Sequence, residues 1–282
     1  MGVGAKLVAE MKASDTIRKR VRDRVARSPK TFIEKADEVI QEEFVERAKR
    51  LGCAGLFVVV DSLEKIRGVS SDWTEVLDSA ERLFAGGAPD LCLPVHAIYT
   101  LPPALILRLN ARVHFLPMIK LAGRDGQRFE LGYGQARALV ERRVPSVSLV
   151  ELLGDGWESR LERIIAWSGG HPRQILHVLR RLLLQEPPLV DAVFDRVFGM
   201  EGDSYRRVLT ANAYPWLAEV ALTHKLRLNT PDDRKIADEM FANSIVLRYF
   251  NGTEWYGLHP AVMEVDEVRE AIAKGRAGRV GS

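Results

Sequence analysis

At 282 residues, with 46% hydrophobic and 28% charged residues, the chain has the length of two domains and the composition of an ordinary folded protein. A net charge of +3 is small for that length and does not by itself point to nucleic acid. Cys53 and Cys92 form no C-x-x-C pair, no apolar run reaches the span of a bilayer, and the start MGVGAKLVAEMK lacks a signal peptide's apolar core; together these argue against a disulfide framework, a zinc site and export, and predict a cytoplasmic protein.

Residues 14 to 50 read as a helical pair: Ile17, Val21 and Val25 recur four apart, and Ile33, Ala36, Ile40 and Phe44 continue the stripe after SPK breaks the first helix. IRKRVRDRVARSPK carries seven basic residues against one acid, either a phosphate-binding segment or a solvated face whose arginine stems lie over the apolar stripe. From residue 51 the period changes. GLFVVVD is a short continuous apolar run bounded by Gly55 and Asp61, which predicts a buried parallel strand. DWTEVLDSAERLFAGG follows as a crossover helix, with Trp73, Val76, Leu77, Ala80 and Leu83 or Phe84 on one side. LPVHAIYTLP predicts a second strand, PALILRLNAR a short helix and VHFLPMIKL a third strand. That alternation predicts a parallel α/β sheet with ligands at the carboxyl ends of its strands.

Asp61 closes the first strand and Thr100 the second. A carboxylate there can hold Mg²⁺ through water, or it can cap the next turn; a hydroxyl there can reach a terminal phosphate. GYGQ at 132 to 135 reads as a turn before the helix QARALVERRV. WESRLERIIAWSGGHPRQILHVLRRLLL then predicts one helix ending at the double glycine and another starting at Pro172. Arg173 consequently stands in a first helical turn, where a cation is disfavoured unless an anion lies nearby. DSYRRVLTANAYPWLAEVALTH predicts two helices, TPDDRKIADEMFA a third capped by Thr230 with Pro231 at its first position, and SIVLRYFNGTEWYGLHP a hairpin turning at Asn251-Gly252. Three helices and a hairpin suggest a winged helix. Its presumed recognition helix carries Asp232, Asp233, Asp238 and Glu239 against Arg234 and Lys235, which favours protein contact over a phosphate backbone. His259 before Pro260 reads as closing the hairpin, and the six histidines are too scattered for a catalytic set.

VVVDSLEK, HAIYTLPPAL, VHFLPMIKL and SGGHPRQIL, in this order, resemble the Walker B, sensor 1, following-strand and sensor 2 regions of AAA+ ATPases of the signal-transducing STAND type, which resemble origin-recognition ATPases in the GG-x-P-R turn; the likeness runs over roughly residues 7 to 265. It implies Asp61 as the magnesium ligand, Thr100 as the sensor 1 residue, and Arg173 with Gly170 as the sensor 2 corner at the nucleotide. ATP and Mg²⁺ are the cofactors of the complete architecture. Arg108 or Arg112 falls where such families carry an arginine finger, or is a plain helix-end arginine. Ser62 stands where Walker B has a second acid, which leaves Glu64 as the candidate to help polarise water. The larger departure is the phosphate loop. Nothing fits G-x-x-x-x-G-K-[ST], in which backbone N–H groups cradle phosphates, Lys neutralises them and the hydroxyl binds metal; GVGAKL at residues 2 to 7 has Ala after Gly4 and Leu after Lys6.

The expected fold is therefore a truncated parallel three-layer P-loop-NTPase-like core that starts part-way through its ATPase domain. The domains expected are a partial core with N-terminal helices over 1–153, a helical lid over 154–198 and a winged helix over 199–282. The expected function is a regulatory module in signalling or defence, acting through a protein partner or oligomer and without a membrane. It binds ATP weakly or not at all alone, and hydrolyses it only if a phosphate loop comes from upstream or from a partner. The alternatives are a winged-helix nucleic-acid binder with a degenerate ATPase fold, and an interaction scaffold.

Overall fold

The computed structural model describes residues 23, 27–61, 63, 73–84, 92–109, 113–186 and 189–280. Ile17, Val21, Val25, Glu64 and Arg112 lie outside these residues. The chain is mixed α/β; among the described residues it has one parallel and one antiparallel sheet of two strands each. It divides into two compact units, one over residues 1–102 with 109–111, the other over 103–108 with 112–282.

In the N-terminal unit, Pro29 opens helix α1 (Pro29–Val39). A π-helical turn, Ile40–Val45, joins it to α2 (Glu46–Arg50). That turn adds one residue to the repeat. The apolar stripe through Ile33, Ala36 and Ile40 consequently passes to half-buried Val45 and Ala48, and Phe44 is left 52% exposed. Strand β1 (Phe57–Val60) pairs in parallel with β2 (His96–Tyr99), Phe57 opposite His96 and Val60 opposite Tyr99. Between them runs α3 (Trp73–Phe84), which buries Leu77, Ala80 and Phe84 at helical spacing. The strand–helix–strand unit forms, but β1 is not buried. Phe57, Val59 and Ile98 are 56%, 57% and 51% exposed, because side chains alternate across a sheet and only one face of this pair is covered.

The third strand expected over VHFLPMIKL does not form; residues 113–120 are extended without a ladder. A strand needs a neighbour in register, and the amides here go to two different elements: Met118 N–H donates to Arg248 O and Ile119 N–H to Gly170 O, both at 3.0 Å. The described residues of PALILRLNAR form a 3₁₀ turn, Pro103–Leu107, in place of the expected short helix. GYGQ is no turn either, since it lies inside α4 (Glu130–Glu141). Gly132 is needed there because a Cβ would fall 1.8 Å from Lys120 O.

Helices α5 (Ser146–Leu153), α6 (Trp157–Trp167), α7 (Pro172–Leu183), α8 (Asp191–Arg206), α9 (Ala213–Thr223) and α10 (Pro231–Ala242) follow. Strands β3 (Val246–Asn251) and β4 (Thr253–Leu258) form the hairpin. Asn251 pairs with Thr253 and Phe250 with Glu254, so the chain reverses about Gly252, at φ +71°, the second residue of the expected Asn-Gly and one place on from a two-residue turn. A short helix α11 (Pro260–Met263) and a long one, α12 (Asp266–Val280), end the chain. Helix α12, which sequence reading missed, packs along α9, and Gly275 lets Leu222 approach to 2.8 Å of where a Cβ would stand. A large apolar core, from Leu121 to Ile272, and a smaller cluster of Leu247, Tyr249 and Trp255 hold this unit together.

Candidate functional site

The carboxyl ends of β1 and β2 meet as the motif order anticipates. Thr100 N–H continues the parallel ladder by donating to Val60 O at 3.1 Å. Its Oγ1 accepts the N–H of Leu63 at 3.2 Å. Thr100 therefore holds the chain that leaves Asp61, which makes the two residues neighbours across adjacent strand ends. Thr100 is half-buried and Asp61 exposed, the exposure a carboxylate needs to take a hydrated cation.

Gly170 and Arg173 belong to the C-terminal unit. Helix α6 buries Leu161, Ile164 and Ile165, and the chain then turns at Gly169 and Gly170, with φ of +60° and +79°. Neither position tolerates a side chain. A Cβ on Gly170 would lie 1.9 Å from Ile119 O, and one on Gly169 2.5 Å from a Leu247 methyl. Buried Ser168 ties the corner, its hydroxyl donating to Ile165 O at 2.6 Å and accepting Gly170 N–H at 3.1 Å. His171 then stands at the N-cap and Pro172 at the first position of α7, which exposes Arg173 in the first turn. Burial, with the Arg173 charge beside it, lowers the His171 pKa, so the imidazole at the corner is held neutral.

Two predicted features change role. Arg108 is no exposed finger: its Nε and Nη2 donate to Asp238 Oδ2 at 3.1 and 2.5 Å, and the Asp238 side chain is 5% exposed. Asp233 is likewise turned inward. Its carboxylate accepts Thr230 N–H at 3.1 Å while Thr230 Oγ1 accepts Asp233 N–H at 3.1 Å, a complete capping box. Burial opposes its charge, but hydrogen bonds from Arg227 and Thr230 outweigh burial and lower its pKa. Two of the four acids counted against phosphate are thus spent internally. Asp232 and Glu239 remain beside the exposed Arg234 and Lys235, an even balance of charge.

Sequence reading also passed over the polar groups around the corner. Tyr249 O–H donates to Gly169 O at 2.6 Å, and the fully buried His259 ring stacks on Tyr205 at 4.5 Å and meets Trp167 edge-on at 5.2 Å. One signal was available, the repeated His-Pro dipeptide, which opens both α7 and α11. Among the described residues no cluster of three metal-ligating side chains occurs and no helix is long and apolar enough to cross a membrane. Comparison with protein-family models, curated proteins and solved structures returns no match.

Proposed function

We propose that the chain is a regulatory module of the AAA+/STAND-like ATPase type that lacks a phosphate loop of its own and acts in signalling or defence through protein contacts. The observation that carries this reading is the tether between Thr100 and Leu63. It sets a hydroxyl and a carboxylate at the ends of adjacent parallel strands, the arrangement a metal-bound phosphate asks for. In this reading Asp61 would hold Mg²⁺ and Thr100 would reach a phosphate at the strand ends, while Arg173, which the Gly170 corner presents in the first turn of α7, would neutralise phosphate charge. Mg²⁺ with ATP would supply the charge these residues answer. A carboxylate and a hydroxyl suit a metal and a phosphate, but the sequence holds no G-x-x-x-x-G-K-[ST] to cradle the remaining phosphates, so in this reading the chain binds ATP weakly. With Ser62 at the second acidic position of Walker B, only Glu64 is left to orient water, and hydrolysis is slow even in a completed site. The core is then a P-loop-NTPase-like sheet, helices α6 and α7 a lid, and α9, α10 and the hairpin a winged helix. Exposed Phe57, Val59 and Ile98 support a protein partner or a second copy at the sheet.

A second reading, nucleic-acid binding through α10, is favoured by one observation: Asp233 and Asp238 do not face solvent, so the helix presents Arg234 and Lys235 with less opposition than the sequence suggests.

Equilibrium binding of MgATP separates the two. On the first reading we expect weak affinity that falls at least about tenfold in Asp61→Ala and in Arg173→Ala, equivalent to about 1.4 kcal/mol. No measurable affinity, or substitutions without effect, defeats the first reading. Steeply salt-dependent DNA binding by the chain alone, abolished by Arg234→Ala with Lys235→Ala, establishes the second.

A further inference from the structure

We propose that the double-glycine corner is a mechanical coupler, which ties the first turn of α7 to the β3–β4 hairpin so that neither shifts without the other. The inference goes beyond the functional reading and stands whether or not Arg173 meets a phosphate.

Three links join residues 167–170 to the hairpin. Gly169 O accepts the buried Tyr249 hydroxyl of β3 at 2.6 Å. Gly170 O accepts Ile119 N–H while the preceding amide, Met118 N–H, donates to Arg248 O on the same strand, so two consecutive amides bridge corner and hairpin. His259, just past β4, rests its ring against Trp167 immediately before the corner, and its N–H donates to Ile245 O at 2.8 Å.

Clearance is as tight as the bonding. The space at Gly169 is closed by Leu247, Pro260 and Tyr249, with positions 2.5, 2.9 and 3.3 Å from an added Cβ, and that at Gly170 by the Ile119 carbonyl and Leu121. Glycines usually lend a corner freedom, but these two are walled in by backbone and packed side chains. A displacement of α7 then has to break buried hydrogen bonds or push the hairpin, because packed contacts switch between arrangements rather than deform smoothly. Only His171 and Pro172 separate the corner from Arg173, and His171 N–H donates back to Ser168 O at 3.1 Å, which leaves little slack in between.

The test is amide hydrogen exchange, read residue by residue on the full chain, in wild type and Tyr249→Phe. The variant deletes one donor and keeps the ring stacked on Trp255, so it retains the fold. Losing one buried hydrogen bond, about 1 kcal/mol net, corresponds to roughly fivefold faster exchange. That acceleration is expected together at hairpin amides, at Ile119, and at Gln174 and Ile175 in the first turn of α7. By reciprocity, Ser168→Ala, which loosens the corner from the α6 side, accelerates the hairpin amides as well. Faster exchange confined to the hairpin in Tyr249→Phe, equal acceleration of α10 amides signalling global opening, or no change anywhere would each overturn the coupler.

Discussion

His259 shows how far a residue's surroundings can move it from its usual chemistry. Its Nδ1 accepts the N–H of Ala261 at 3.2 Å, so the ring hydrogen sits on Nε2, which has no partner among the described residues. Burial, then the neighbouring His171, push its pKa down to about 3. The unfolded chain's imidazole takes its proton near pH 6.5 and the folded one's only near pH 3, so between these values the unfolded state binds more protons and acid favours it. Stability should fall by about 1.4 kcal/mol per pH unit as pH drops below about 6 toward 3, beyond whatever the carboxylates contribute. Denaturant titrations across that range in wild type and His259→Phe check this: the variant should lose that part of the slope, and equal slopes would show that His259 is not buried neutral. Tyr205, stacked against the same ring, is pushed up to about 12 by burial and then by Glu201, so it stays neutral throughout. Charge counting along the sequence failed at this same scale. Asp233 and Asp238 look like any other helix acids in print, and only the capping box and the Arg108 pair reveal that they face inward.

Elements whose signals are local were legible in the sequence. The Thr230-Pro231 start of α10 forms a full capping box, SGGHP separates α6 from α7, and Asn251-Gly252 reverses the hairpin, because each depends on residues a few positions apart. Thr230→Ala should cost about 1 kcal/mol in a denaturant titration and Thr230→Ser only a few tenths; an unchanged midpoint in the alanine variant would mean the cap contributes nothing. Elements that depend on distant partners were not legible. VHFLPMIKL has a strand's composition, but its amides are claimed by Gly170 and Arg248, more than fifty residues away in sequence. GYGQ looks like a turn because glycine usually makes one, whereas Gly132 serves the close passage of Lys120 O within a helix. The apolar face of α12 is a narrow stripe of Val268, Ile272 and Gly275 inside a charged segment, weak as a pattern until α9 is there to receive it.

For the molecule as a whole, the two units bury their surfaces very differently. The C-terminal one is closed around a core that includes Phe194, Trp216 and Val268, all inaccessible, while the N-terminal one carries a two-stranded parallel sheet with half its apolar side chains in contact with solvent. Isolated two-stranded sheets are marginal, and the described residues leave one face of the sheet that ends at Asp61 and Thr100 exposed. The proposed function rests on Asp61 and Thr100, at the ends of β1 and β2, taking a metal-bound phosphate together. Titration of MgATP into the wild-type chain, Asp61→Ala and Thr100→Val measures this most directly. Weak binding that falls at least about tenfold in both variants, about 1.4 kcal/mol, is the expected result; equal affinity in all three chains, or none in any, would contradict it.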